Sequence, residues 1–216
     1  MAALLGLNGD KRILLLSLTF LGIEESVITD ALIRAERIGL LTQKNEQYIF
    51  SHALFTQRLI SRMSYVQRSA YHGAAAVTLA RETRFQAAMA HLSQSEKSVD
   101  LDIAQSLAHS ALQISQSIGD HASITESCIW LLENTEHATL ERIQLLIHLA
   151  KSQIALGRRV EGRKNAELAS TLARTLNDAE LEAEAVKLED NNTFKFCKSP
   201  IDSLYLGSSK GLFKID

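Results

Sequence analysis

Between Glu24 and Ile38, apolar side chains fall at Val27, Ile28, Ala31, Leu32, Ala35 and Ile38. Recurrence at three and four residues predicts a helix, and Gly39 stops it. The preceding run, Arg12 to Leu21, predicts a shorter apolar helix ended by Gly22. The period then changes. Leu40-Leu41-Thr42 and Tyr48-Ile49-Phe50 flank the polar stretch QKNEQ, which predicts two short strands about a turn. Ser51 stands at the N-cap position of the next helix, with His52 in its first turn, and that helix runs to about Met63. Ser64 opens another, to Ala80. Helix, helix, small hairpin, helix is the outline of a winged-helix domain over residues 1–82.

From Arg84 onward the pattern predicts helices alone, over about 84–94, 99–118, 121–134, 137–156, 159–175 and 177–188. Gly119-Asp120, Gly157-Arg158 and Asn177-Asp178 mark short connections, which force neighbouring helices to pack antiparallel. Gly119 and Gly157 lie 38 residues apart, with Leu107-Ala108 before the first and Leu149-Ala150 before the second. Ala104, Ala108 and Ala111 share one helical face, as do Gly162, Ala166 and Ala169. Small residues at that spacing admit a second helix closely. The expected fold class is therefore mainly α: a small winged-helix domain, then a right-handed antiparallel helical-repeat array of tetratricopeptide type over 83–188. Two repeat registers fit, and a non-repetitive bundle is the competing arrangement. Residues 189–216 break the pattern. Alanine disappears, the chain's one proline, Pro200, arrives, and the helical period is lost. A loose tail, a strand pair and a frameshifted sequence all fit this segment.

Composition narrows the function. A single proline among abundant strong helix formers agrees with a helical chain. The formal net charge of −2 lacks the basic surplus of a nucleic-acid coat. No apolar run reaches the roughly 18 residues that span a bilayer. The apolar start has no positive n-region and no small-residue cleavage site, so it does not read as a signal peptide. Cys128 and Cys197 stand apart with no CxxC or His-rich partner, which predicts reduced cytosolic thiols. The expected location is cytoplasmic.

The stretch YIFSHALFTQRLISRMSYVQRSAYHGAAAVTLA combines Phe50-x-His52-x-Leu54 with Arg68, His72 and an alanine-rich helix. It resembles the winged-helix region that follows the ATPase module in bacterial STAND-class regulators, many of them LuxR-type transcription activators, others linked to cyclase or kinase domains. Ile38-Gly39-Leu40-Leu41 fits the same resemblance. AAMAHL at 87–92, LERIQLLIHLAKSQIALGRRVEG at 140–162 and ELASTLARTLNDAELEAEA at 167–185 look like the sensor repeats of such regulators. The resemblance covers about residues 12–188. No GxxxxGK[ST] loop occurs, and no basic recognition helix closes the chain. It thus implies a middle piece, winged helix plus sensor repeats without the ATPase module.

By that resemblance His52 would face the ADP β-phosphate wherever an ATPase module is supplied, since a helix N-terminus favours anions. The plainer reading has His52 capping or packing the hairpin–helix junction. Arg68 and His72 lie four apart on one helical face and are candidates for an inter-domain or phosphate contact, against a solvated face. Arg158, Arg159 and Arg163 cluster about the Gly157 turn as protein-binding candidates. No catalytic residue, metal ligand or cofactor is expected in this chain: there is no GxSxG elbow and no HExxH pair. Glu24, Glu25, Asp30 and Glu36 outweigh Arg34 and Arg37 on the second helix, which opposes direct DNA binding through it. The expected function is a non-catalytic regulatory module that takes a protein partner or inducer on its repeats and couples it to an ATPase switch. A free-standing helical adaptor and a winged-helix DNA binder are the alternatives.

Overall fold

The computed structural model describes residues 1–134, 136 and 139–190. Among them the chain is mainly helical, with ten α-helices and one small sheet. After a 3-10 turn at Ala2–Leu4 comes strand β1 (Asn8–Asp10), then α1 (Lys11–Phe20) and α2 (Glu25–Arg37). Asp10 caps α1 by accepting a hydrogen bond from the Arg12 amide at 2.9 Å. Gly22 and Gly39 close α1 and α2 with φ of +81° and +72°, where a side chain would strain. α2 buries only Ile28 and Leu32, so its remaining faces are wet.

Strands β2 (Leu41–Lys44) and β3 (Gln47–Phe50) form the expected hairpin, with Asn45 left-handed at the turn. The sheet has a third strand that the hydropathy pattern did not predict. β1 pairs antiparallel with β3, Asn8 opposite Ile49 and Asp10 opposite Gln47, giving the order β1-β3-β2. Leu41, Tyr48 and Phe50 turn inward from this sheet. The Tyr48 hydroxyl donates to the Ala2 carbonyl at 3.0 Å, and burial pushes its pKa up.

α3 (Ala53–Ser61) has no buried residue. α4 (Tyr65–Arg81) opens on a capping box, Ser64 with Gln67, and is buried continuously from His72 to Leu79. α5 (Phe85–Leu92) packs on α4; α6 (Leu101–Ile118) and α7 (His121–Asn134) follow. α8 (Thr139–Ala155), α9 (Arg159–Leu176) and α10 (Ala179–Asp190) complete the described chain. Consecutive helices pack on each other from α4 to α10. α5 also touches α7, and α8 touches α10. Gly119, Gly157 and Asn177 make the left-handed turns at the three predicted connections.

One apolar cluster runs from Met1 through the sheet and α4–α7 to Leu145 and Leu149 of α8, so it has members on both sides of residue 82. A second joins Ile143, Leu146 and Ile147 of α8 to Ala169, Ala173 and Ala185. The small-residue faces act as the spacing implied: Ala104, Ala108, Ala111, Gly162, Ala166 and Ala169 are all buried. The expectation for the 189–216 tail lies outside the described residues, apart from its first positions at the end of α10.

Candidate functional site

α5, α7 and the α8–α9 turn enclose an open groove of about 580 Å3. Two side-chain bonds hold α5 against α7 beside it. Gln86 Nε2 donates to Asp120 Oδ2 at 2.9 Å, and Ser93 Oγ to Glu126 Oε1 at 2.7 Å. Asp120 also caps α7, accepting from the Ala122 and Ser123 amides. Those hydrogen bonds, led by the Ser123 hydroxyl, hold its carboxyl below the usual range. Apolar surface in the groove comes from Trp130, which is 8% exposed, and from half-buried Ile129. Glu96, Glu126, Glu133 and Arg158 also line it. Three carboxylates against one guanidinium give the groove an acidic bias. An aromatic floor with a charged surround is the arrangement that anchors one apolar side chain and selects its flanking charges.

Of the arginines expected to bind a partner, Arg158 alone lines this groove. Arg159 is exposed at the first position of α9. Arg163 is tied to Glu167 of its own helix, Nε to Oε1 at 2.9 Å, which is a solvated i,i+4 pair.

His52 is itself the N-cap of α3, one residue later than the sequence suggested. Its Nδ1 accepts from the Leu54 amide at 3.1 Å, while Ser51 Oγ donates to the Gly39 carbonyl at 2.6 Å. The Gly39 carbonyl just past the end of α2 takes the Ser51 hydroxyl, which therefore does not cap α3. The His52 imidazole is exposed and lies edge-on to Phe55. One ring nitrogen is thus committed to the backbone, which is the capping role the plainer reading gave it.

Arg68 and His72 share a face of α4, as the spacing required. His72 is buried and its Nδ1 lies 2.9 Å from Nδ1 of His91 on α5. Desolvation lowers the pKa of His72, and Arg68 and the α-amino group of Met1 lower it further. His91 is pushed down to about 4, by burial first and by His72 second. Both rings are therefore neutral at pH 7, one Nδ1 donating and the other accepting. His91 left no mark in the sequence pattern, since His–His pairing across two helices is spatial. Trp130 did leave a signal: it is the single tryptophan of an aromatic-poor chain.

Among the described residues no group of three metal-ligating side chains gathers, and no helix is long and apolar enough to cross a membrane. No family model, curated protein or solved structure matches the chain.

Proposed function

We propose that this chain is a non-catalytic regulatory module whose helical array holds a protein partner in the groove along α7. In this reading the N-terminal unit, a winged-helix-like arrangement, passes that binding to an ATPase switch, as in the STAND-class regulators the sequence resembles. The groove carries the proposal. Buried Trp130 offers an aromatic anchor point, and the three glutamates favour a partner segment with an apolar side chain flanked by Lys or Arg. His52 belongs to the same reading as an ADP-phosphate contact only where an ATPase module is supplied. ATP and ADP are accordingly ligands of that module and not of this chain. Direct DNA contact finds no support in α2, where Glu25, Asp30 and Glu36 are all exposed.

A second reading, a free-standing helical adaptor, draws support from the apolar core that runs unbroken from Met1 to Leu149. Partner-induced stabilisation of this chain without nucleotide favours the adaptor.

Trp130 supplies the test. A displayed peptide library is panned on the immobilised chain, and recovered peptides are titrated while tryptophan emission is followed. Binders should be basic and apolar, should shift Trp130 emission, and should weaken roughly tenfold or more on Glu126→Lys with Glu133→Lys. Binders that leave the emission unchanged and tolerate both charge reversals would sink the groove as the docking site.

A further inference from the structure

An open cavity of about 320 Å3 lies between α4 and α5, apart from the groove. Its polar lining is Arg68 and His72 from α4, His91 from α5 and Gln94 just past the end of α5; Leu4, Ile60 and Ala90 complete it. Arg68, Gln94 and the histidine that carries its proton on Nε2 can each donate a hydrogen bond, and no carboxylate lines the cavity. Among the described residues Arg68 forms no ion pair. An acidic side chain, Asp10, lines a smaller cavity that His91 also borders. Asp10 is engaged there, its Oδ2 3.8 Å from Arg84 Nη1 and its Oδ1 capping α1. The α-amino group of Met1 also acts on His72; burial lowers its pKa to about 6, so it adds positive charge only toward acid pH.

The pair has its own logic. When both rings are neutral and share a proton between their Nδ1 atoms, the accepting ring must carry a proton on Nε2 and the donating ring must leave Nε2 bare. The bare nitrogen can take one proton from solution. A bound anion would favour that uptake, because it supplies the opposite charge that the pocket lacks.

We propose that this cavity is a binding site for a small tetrahedral oxyanion of the phosphate class, held by Arg68, Gln94 and the His72–His91 pair. A guanidinium with further donors around an open recess suits an ion that presents more than two acceptor oxygens better than it suits a carboxylate. The recess exceeds a lone ion, so the same chemistry fits inorganic phosphate or the phosphate end of a monoester. The site is independent of the groove along α7.

The test uses the full chain with 15N-labelled histidine and follows the ring nitrogens of His72 and His91 by NMR. Potassium phosphate, phenyl phosphate and sulfate are each titrated at pH 6.0 and 7.5, with chloride holding ionic strength constant. Saturable shifts of both rings are expected, tighter at pH 6.0. Sulfate keeps its charge across that range, so tighter sulfate binding at pH 6.0 reports protons taken up by the protein, and the ring-nitrogen shifts separate uptake by the pair from uptake by the Met1 α-amino group, which titrates near 6. Arg68→Gln, at an exposed position that folding tolerates, should weaken binding roughly tenfold or more, because a charge-assisted hydrogen bond is lost. His91→Gln keeps a donor but breaks the pair, and should reduce the pH dependence to what His72 and the Met1 α-amino group supply. Tighter phenyl phosphate identifies a monoester as the ligand class, and equal affinities identify the free ion. Shifts that stay linear, or an Arg68→Gln chain that binds as tightly as the parent, overturn the site.

Discussion

Replacing Gly162 by alanine sets two effects of opposite sign against each other. Gly162 is buried within α9, where alanine should gain about 1 kcal/mol in helix propensity. It also lies where α9 crosses α8. A Cβ built there meets Ile154 Cγ1 at 2.7 Å, the Ala150 carbonyl oxygen at 3.0 Å and the Ile154 amide nitrogen at 3.3 Å. The Ile154 side chain can turn aside at a cost of about 0.5–1.5 kcal/mol. The two backbone atoms belong to α8 and cannot, so the helices must separate. Overpacking of this kind costs about 1–3 kcal/mol. Together these costs exceed the propensity gain, and Gly162→Ala should destabilise by about 1–2 kcal/mol. For a chain of this size that is a fall in Tm of about 3–6 °C. Urea and thermal melts followed by far-UV circular dichroism give the measurement. Lys164→Ala against Lys164→Gly, at an exposed position of the same helix, calibrates the propensity contribution. If Gly162→Ala melts higher than the parent by the full propensity gain, the close approach of α8 and α9 is refuted.

His52→Ala should cost about 1 kcal/mol through loss of the α3 cap, while His52→Asp restores most of it; urea midpoints decide. Acid should weaken the fold. His91 has a folded pKa near 4, below its ordinary 6.5, so the unfolded chain binds the extra proton. Its stabilising contribution is complete above about pH 6.5 and is lost as pH falls through 4, by an amount on the order of 3 kcal/mol. Urea melts from pH 7 to 4 should show this loss, and it should be smaller in His91→Gln. Cys128 is buried and its thiol pushed up to about 12. In a Cys197→Ser background it should therefore resist a thiol reagent at pH 8 until denaturant is added.

Much of the helical order was legible because long amphipathic periods and left-handed turn residues leave strong local marks. Gly22, Gly39, Gly119 and Gly157 all take positive φ where the sequence placed a helix end. β1 was missed because Asn8-Gly9-Asp10 has poor strand propensity. It pairs because β3 offers a free edge and Gly9 lets the Tyr48 ring lie over the strand, where a Cβ would collide with it. The cap of α3 was misplaced by one residue, since Ser51 outranks histidine as a cap on propensity alone. At the candidate sites, Arg158 was legible as a member of a basic cluster. Its company of Trp130 and three glutamates was not, because α7 supplies Glu126, Trp130 and Glu133, a 3-10 turn supplies Glu96, and these meet the Arg158 turn only in the fold. His91 was hidden for the same reason: it lies 19 residues from His72 and meets it only when α5 folds back on α4.

α8 is shared between the two apolar clusters, with Leu145 and Leu149 in one and Ile143, Leu146 and Ile147 in the other. Between Ile143 and Gln153 only Gln144 and Lys151 are exposed, and Lys151 is paired with Glu184 of α10. The helix therefore has almost no outward face. Most helices of a chain like this can drift in sequence on the side that meets water, and α8 has little such side. A change at nearly any of its central positions must be answered by a matching change on α7, α9 or α10. Substitutions there should be accepted in pairs rather than singly, which makes α8 the slowest clock in the molecule.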